Sequence, residues 1–362
     1  MKAYIKRALL SLFYPAWSGR CHNKEGYTVV IPAPMDMPFL AYYALKALSK
    51  LDLSSCREIL VVPDGCGTDN GRALSDVLKL INLDKARLLP LTKRNKLVIS
   101  LFGDSGIAHW MTIVEAINNS ETNSLFLHDA DAFFTDEDFI ENNYREFDNT
   151  NLNCLGVTSR WDPFMQSKNM QLPATWELFF SSAWARSWSP VSHKAGSRYT
   201  DTGKEFFDTM LYPMYRSYSV DRVQVRPSAS FMHLAGTVVT YRRWLDHINR
   251  PVGDELFRLL FLSLLKELSP PIESDFRLPS VAVLSEGVFD SKKMVHYNFP
   301  GAANNYHEFR RFVDALLGLE LFSDQLKKVD DLLHTFDDHF LKFKYETSEV
   351  MPRVRAHGLY LD

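Results

Sequence analysis

Apolar and polar positions along the first half of the chain fall into two alternating patterns. Short continuous apolar runs, rich in β-branched residues, read as strands: Tyr27–Pro32 at the start of YTVVIPAP, Glu58–Val62 within REILVVPDG, Ala86–Leu91, and Ser124–Leu127, which runs straight into the aspartates of SLFLHDADAFF. Between them lie stretches with apolar residues at helical spacing: Pro38–Leu51, with Pro38 suited to a first turn, Asp69–Leu80 and Ile107–Asn118. Strands alternating with helices of this length predict a mostly parallel sheet flanked by helices. Such sheets collect ligands at the carboxyl ends of their strands. Three informative ends would then share one edge: Pro32-Ala33-Pro34, Asp64-Gly65 and Asp129-Ala130-Asp131.

From Thr158 to about Tyr199 the pattern becomes irregular and carries Trp161, Trp176, Trp184 and Trp188. These rings could form flat surfaces on which sugars stack, or simply fill a core. KEFFDTMLYPMY, after Asp201, has helical spacing, and Val220–Val225 reads as a strand leading to Phe231-Met232-His233. Beyond about Arg250 the chain turns mainly helical, with amphipathic stretches at Asp254–Leu268, Tyr306–Leu321 and Asp324–Phe343. This divides the sequence into an N-terminal helix or arm (1–25), an α/β domain (26–249) and a helical C-terminal region (250–362).

Composition narrows the function classes. The chain has 362 residues, 46% hydrophobic and 23% charged, which suffices for a sizeable core. A net charge of −3 gives no electrostatic reason to expect nucleic acid as partner. Cys21, Cys56, Cys66 and Cys154 show no CxxC spacing, so neither a zinc site nor a disulfide framework is expected, and a reducing, cytoplasmic setting follows. No apolar run is long enough for a transmembrane helix. The first residues, MKAYIKRALLSLFYPAW, lack a small-residue cleavage site and read as an amphipathic helix, packed on the domain or peripherally associated with a membrane.

The chemistry sits at Asp129 and Asp131. With 27 aspartates in the chain, about two Asp-x-Asp triplets are expected by chance, and two occur. The second, Asp136-Glu137-Asp138, precedes the helical FIENNYREF, where its acids suit helix capping. The first follows a buried strand, a place suited to a hard divalent cation; its bland alternative is a turn in which both aspartates bond backbone amides. A cation held there would stabilise the charge that develops on a leaving diphosphate.

VVIPAP, EILVVPDG and LFLHDADAFF together resemble the GT-A glycosyltransferases, closest to the large family-2 group, over roughly residues 26–245. The resemblance implies a GT-A fold, a nucleotide-sugar donor (a UDP- or GDP-sugar) and Mn²⁺ or Mg²⁺. The acceptor would be a carbohydrate, a lipid-linked glycan or a small molecule, as in polysaccharide biosynthesis. It places the donor's base and ribose at Pro32, Ala33, Pro34 and Asp64, with Asp104 and Ser105 near the donor, Asp129 on ribose or metal, and Asp131 on the metal. An inverting reaction also needs a carboxylate base. Family members place it downstream, often as Glu-Asp; here that pair is missing, and Asp201 stands in its position, with Asp208, Asp162 and Glu177 as lesser candidates and Glu177 read as a surface residue. Asp201 has helix N-capping as its alternative role. His233 follows in the place of a histidine ligand, with His296 second and a core histidine as the alternative. His128 should point away from its neighbours' face. Lys93, Arg94 and Lys96 read as a basic loop, either solvated or near phosphates. A sugar-1-phosphate nucleotidyltransferase is the first competing function, although PAPMDMP lacks the glycine-rich basic loop of that class. A non-catalytic binding module on the same core is the second.

Overall fold

The computed structural model describes residues 2–19, 23–65, 71–102, 105–157, 168–194, 197–198, 205–206, 208–234, 236–246, 256–286, 302–319 and 321–342. Strands β1 (Lys24–Ala33), β2 (Cys56–Pro63), β3 (Ala86–Leu88) and β4 (Thr122–His128) come first, joined by helices α2 (Pro38–Leu48), α3 (Arg72–Ile81), α4 (Lys93–Phe102) and α5 (Ser105–Asn119). A short β5 (Ala132–Phe134), α6 (Phe139–Asn149), β6 (Cys154–Gly156), β7 (Glu177–Ser181) and α7 (Ser182–Arg186) follow. Strands β8 (Ser197–Arg198) and β9 (Glu205–Phe206) form a small pair, and α8 (Leu211–Arg216) leads to β10 (Val223–Val225) and β11 (Phe231–His233). Helices α9 (Thr237–Asp246), α10 (Leu256–Leu268), α11 (Val281–Glu286), α12 (Ala302–Leu317) and α13 (Leu326–Phe340) complete the described chain, and α1 (Lys2–Phe13) precedes β1.

The main sheet has seven strands in the order β10-β6-β7-β4-β1-β2-β3. β1 pairs in parallel with both β2 and β4, β2 with β3, and β6 with β10; only β7 runs antiparallel, between β4 and β6. The expected mostly parallel sheet with flanking and C-terminal helices is therefore present, and its central strands are apolar on both faces because both are covered. The jump from β3 to β4 across β2 and β1 places the carboxyl ends of β1, β2 and β4 side by side.

One apolar core runs from β1 and α2 through β7 and on to α10, α12 and α13, so the C-terminal helices share the core of the sheet. A second core covers the other face, and a third, around Trp110, lies beneath α1 and α4. α1 packs on the domain through Leu10, and Tyr14 just past its end is buried with it. Three expectations need correction. Lys93–Phe102 is a helix rather than a loop, started by Thr92, whose hydroxyl accepts from the Asn95 amide at 3.2 Å. The helical reading of KEFFDTMLYPMY fails at its start, where Glu205–Phe206 is a strand and the helix begins only at Leu211. Asp138 occupies the N-cap of α6 without a capping side-chain bond; instead Asp136 Oδ1 accepts from the Asp138 amide at 3.1 Å, forming a turn before the helix.

Candidate metal centre

β4 delivers Asp129 to the sheet edge, and a tight turn follows: the Ala132 amide donates to the Asp129 carbonyl at 3.1 Å, while the Asp129 amide donates to Trp176 at 2.9 Å. The turn reverses the chain into β5, which pairs antiparallel with β11 in the register Ala132–His233, Phe133–Met232 and Phe134–Phe231. That register brings His233 to the carboxylates. Its Nε2 lies 3.1 Å from Asp131 Oδ1 and 3.9 Å from Asp129 Oδ2. The Thr237 hydroxyl, at the first turn of α9, donates to the other Asp131 oxygen. One ligand atom from each of Asp129, Asp131 and His233 falls within a 4.8 Å group.

The electrostatics of this group are those of an under-neutralised acidic site. Burial, then the charges of Asp131, Glu177 and Asp208, push the Asp129 carboxyl well above its usual range. Burial acts the same way on Asp131, but His233, its hydrogen bond and the Thr237 hydroxyl outweigh it and hold that carboxyl below its usual range. Two carboxylates and an imidazole suit a hard or borderline divalent ion. His233 is buried, its Nδ1 has no hydrogen-bond partner among the described residues, and Trp176 lies against its ring at 4.7 Å between centroids. The donor set therefore fits Mn²⁺ or Mg²⁺.

The donor edge is built from β1 and β2. Pro32, Ala33 and Pro34 are buried at the end of β1, and the Asp64 amide donates to the Ala33 carbonyl at 3.0 Å. Arg242 of α9 spans two acids: it donates to Asp36 at 2.9 and 3.3 Å and also to Asp64. Gly65, next along, has φ of +77°, and a Cβ there would meet Ile99 of α4 at 2.1 Å. Arg94 turns inward, over the Tyr14 ring at 4.4 Å and onto the Phe13 carbonyl, while Lys93 and Lys96 are exposed.

Glu177 is not a surface residue. It is buried on β7 and pairs with His128, Nδ1 to Oε1 at 2.8 Å, because β7 lies inside the sheet with both faces covered. His128 thus serves that pair and stands outside the metal group. Asp208 accepts from the Thr175 hydroxyl at 3.1 Å and the Thr209 amide at 2.9 Å. Of the described tryptophans in that stretch, Trp184 and Trp188 pack in the second core, and Trp176 lies against the metal group. Asp104, Asp162, Asp201, His296 and Trp161 lie outside the described residues, as does the side chain of Ser105. Asp36, Thr237 and Arg242 escaped the sequence reading; only Thr237, four residues after His233, offered a spacing signal.

The strand order and the carboxylate turn after β4 give the mostly parallel α/β sheet, with acids at its carboxyl edge, that the resemblance to GT-A enzymes implies. No protein-family model matches the chain, and no curated protein sequence does. Among solved structures, the mannosyltransferase PcManGT from Pyrobaculum calidifontis, in complex with GDP-Man and Mn²⁺, is similar over 94% of this chain and 96% of that one, at 13% identity and a TM-score of 0.41. Glucosyl-3-phosphoglycerate synthase from Mycobacterium tuberculosis, in complex with Mn²⁺, UDP and glucosyl-3-phosphoglycerate, is similar over 44% of this chain, at 13% identity and a TM-score of 0.33. The match spans 58% of that enzyme's own length. 4-Diphosphocytidyl-2C-methyl-D-erythritol synthase from Anaerococcus prevotii is similar over 45% of this chain and 73% of that one, at 13% identity and a TM-score of 0.29. At such scores the functional argument rests on the site itself.

Proposed function

We propose that the protein is a metal-dependent glycosyltransferase that moves a sugar from a nucleotide-sugar donor to a hydroxyl acceptor. The observation that carries this reading is the convergence of Asp129, Asp131 and His233 within 4.8 Å at the carboxyl edge of the sheet. A divalent cation bound there would neutralise the charge building on the leaving diphosphate. Asp131 and His233 would hold it, and Asp129 would ligate it or bond the donor's ribose. Pro32–Pro34 and Asp64 would line the base and ribose subsite, with Asp104 and Ser105 beside the donor. Trp176 would offer its ring to the sugar.

A carboxylate would accept the acceptor hydroxyl's proton in an in-line, inverting attack. Asp201 and Asp208 are the two candidates, and Asp208 is favoured by a specific observation, since its charge reaches Asp129. Against a nucleotidyltransferase stands the β1 end, which carries no glycine-rich basic loop; Asp36, in that segment, is tied to Arg242.

Calorimetry tests the reading. Mn²⁺-dependent binding of UDP or GDP by the wild type, lost in Asp131→Ala, is the expected result. Failure of every nucleoside diphosphate to bind in the presence of Mn²⁺ refutes it. With a donor in hand, loss of transfer but retained donor binding in Asp208→Asn or Asp201→Asn assigns the base.

A further inference from the structure

α1 and α4, which touch one another, each leave apolar side chains exposed beside cations. Five of the eleven exposed large apolar side chains among the described residues belong to this helix pair: Ile5 (50% exposed), Leu9 (40%), Leu12 (77%), Leu97 (49%) and Leu101 (58%). Ile5, Leu9 and Leu12 follow helical i, i+4, i+7 spacing, opposite the stripe of Leu10 and Tyr14 that enters the third core. On α4 the apolar residues Val98, Ile99 and Phe102 likewise pack inward, leaving Leu97 and Leu101 outside. The two helices touch, with Lys6 over the Phe102 ring at 5.9 Å and Arg94 on the Phe13 carbonyl.

The charge of this pair is opposite to that of the whole protein. α1 carries Lys2, Lys6 and Arg7, α4 carries Lys93 and Lys96 beside an Arg94 that turns inward to Glu115 at 3.7 Å, and neither helix contains an acidic residue, whereas the chain as a whole is at −3. Lys93 and Lys96 share the exposed face of α4 with Leu97 and Leu101. Exposed leucines beside lysines on a helix are the composition of an element that lies in a lipid interface. Acidic headgroups would meet the cations while the leucines enter the acyl boundary.

We infer that the α1–α4 face docks on an anionic lipid bilayer. The opposite, inward side of α4 reaches the candidate site, since Ile99 lies against Gly65, next to Asp64 on the carboxyl edge of β2.

Vesicle co-sedimentation of the full chain tests this without any activity measurement, so its outcome is independent of the transferase reading. Wild-type protein should sediment with phosphatidylcholine vesicles containing about 30 mol% phosphatidylglycerol and stay largely in solution with pure phosphatidylcholine. Leu12→Glu with Leu101→Glu should weaken binding by roughly tenfold or more at an unchanged melting temperature. If that pair lowers the melting temperature, Leu12→Ser with Leu101→Ser serves in its place. Lys93→Gln with Lys96→Gln should weaken it by roughly tenfold through charge alone. Absence of wild-type binding, or binding indifferent to these substitutions, overturns the proposal. So does a wild-type dimer in sedimentation velocity that the leucine substitutions dissociate, because a second copy would then cover the face.

Discussion

Lowering the pH from 7 to 5 should destabilise the fold by about 2 kcal/mol through His193 alone. His193 is fully buried between Trp17 and Trp184, whose rings meet it edge-on at 5.6 and 6.2 Å. Its Nε2 lies 2.8 Å from the Ala185 carbonyl, which only accepts, so Nε2 carries the proton and Nδ1 presents a lone pair. Nδ1 has no partner among the described residues, so a proton added there would be buried without an acceptor. Burial, the leading cause, accordingly pulls the imidazole from 6.5 down to about 4, against a smaller opposing effect of the Ala185 bond.

The sign follows from which state binds the proton first. The unfolded chain takes it up near 6.5 and the folded chain only near 4, so the stabilisation is complete above 6.5 and is lost as the pH falls between those values. The full difference amounts to about 3.4 kcal/mol, of which about 2 is lost by pH 5. His193→Gln retains an N–H for Ala185 and removes the titration. Guanidinium unfolding of both proteins at pH 7 and pH 5 reads the effect as a difference of differences: the wild type should lose about 2 kcal/mol more than the variant. Parallel losses, within about 0.5 kcal/mol, would refute the reasoning.

Two further substitutions probe the core and the sheet edge. Phe179 on β7 is buried against Phe126, Tyr27 and Phe147 at centroid distances of 4.5, 5.4 and 5.7 Å, so Phe179→Ala should cost about 3–5 kcal/mol in urea unfolding; a loss under about 1 kcal/mol would show that the ring cluster does not hold the sheet. Arg242→Met removes the cation that joins the neighbouring acids Asp36 and Asp64 and should cost about 3 kcal/mol, partly recovered by adding Asp36→Asn; an unrecovered loss in the double variant would mean that the guanidinium stabilises by packing rather than charge.

The parts of this molecule that were legible in the sequence are those fixed by neighbours along the chain. Val29–Ile31, Ile59–Val62 and Leu125–Leu127 are continuous apolar runs because covered strands bury both faces, and that pattern is local. α4 left a weaker signal. Its inward apolar side chains pack on the small third core, and its opening lysines and arginine resemble a solvated loop, although Thr92 at the cap position was readable. Glu177 lies in the irregular, tryptophan-rich stretch, where an acid is expected at the surface and no local pattern marks a buried strand. What reverses that rule is the insertion of antiparallel β7 between β4 and β6, which no local pattern announces.

The candidate site divides along the same line. Asp129 and Asp131 are two residues apart at the end of one strand, so the sequence could point to them. His233 reaches them only through the β5–β11 register, Thr237 through the start of α9 that follows, and Arg242 through the next turn of that helix. One short connection from β11 into α9 therefore sets both halves of the edge: the third ligand and its hydroxyl on the carboxylate side, and the cation that joins Asp36 to Asp64 on the other. A displacement of α9 would loosen the metal group and the β2 acid together. The substitution of Arg242, whose side chain joins Asp36 to Asp64, separates the two: divalent-ion binding measured in Arg242→Met should persist if His233 is held by β5 pairing, and should weaken if α9 is what holds it.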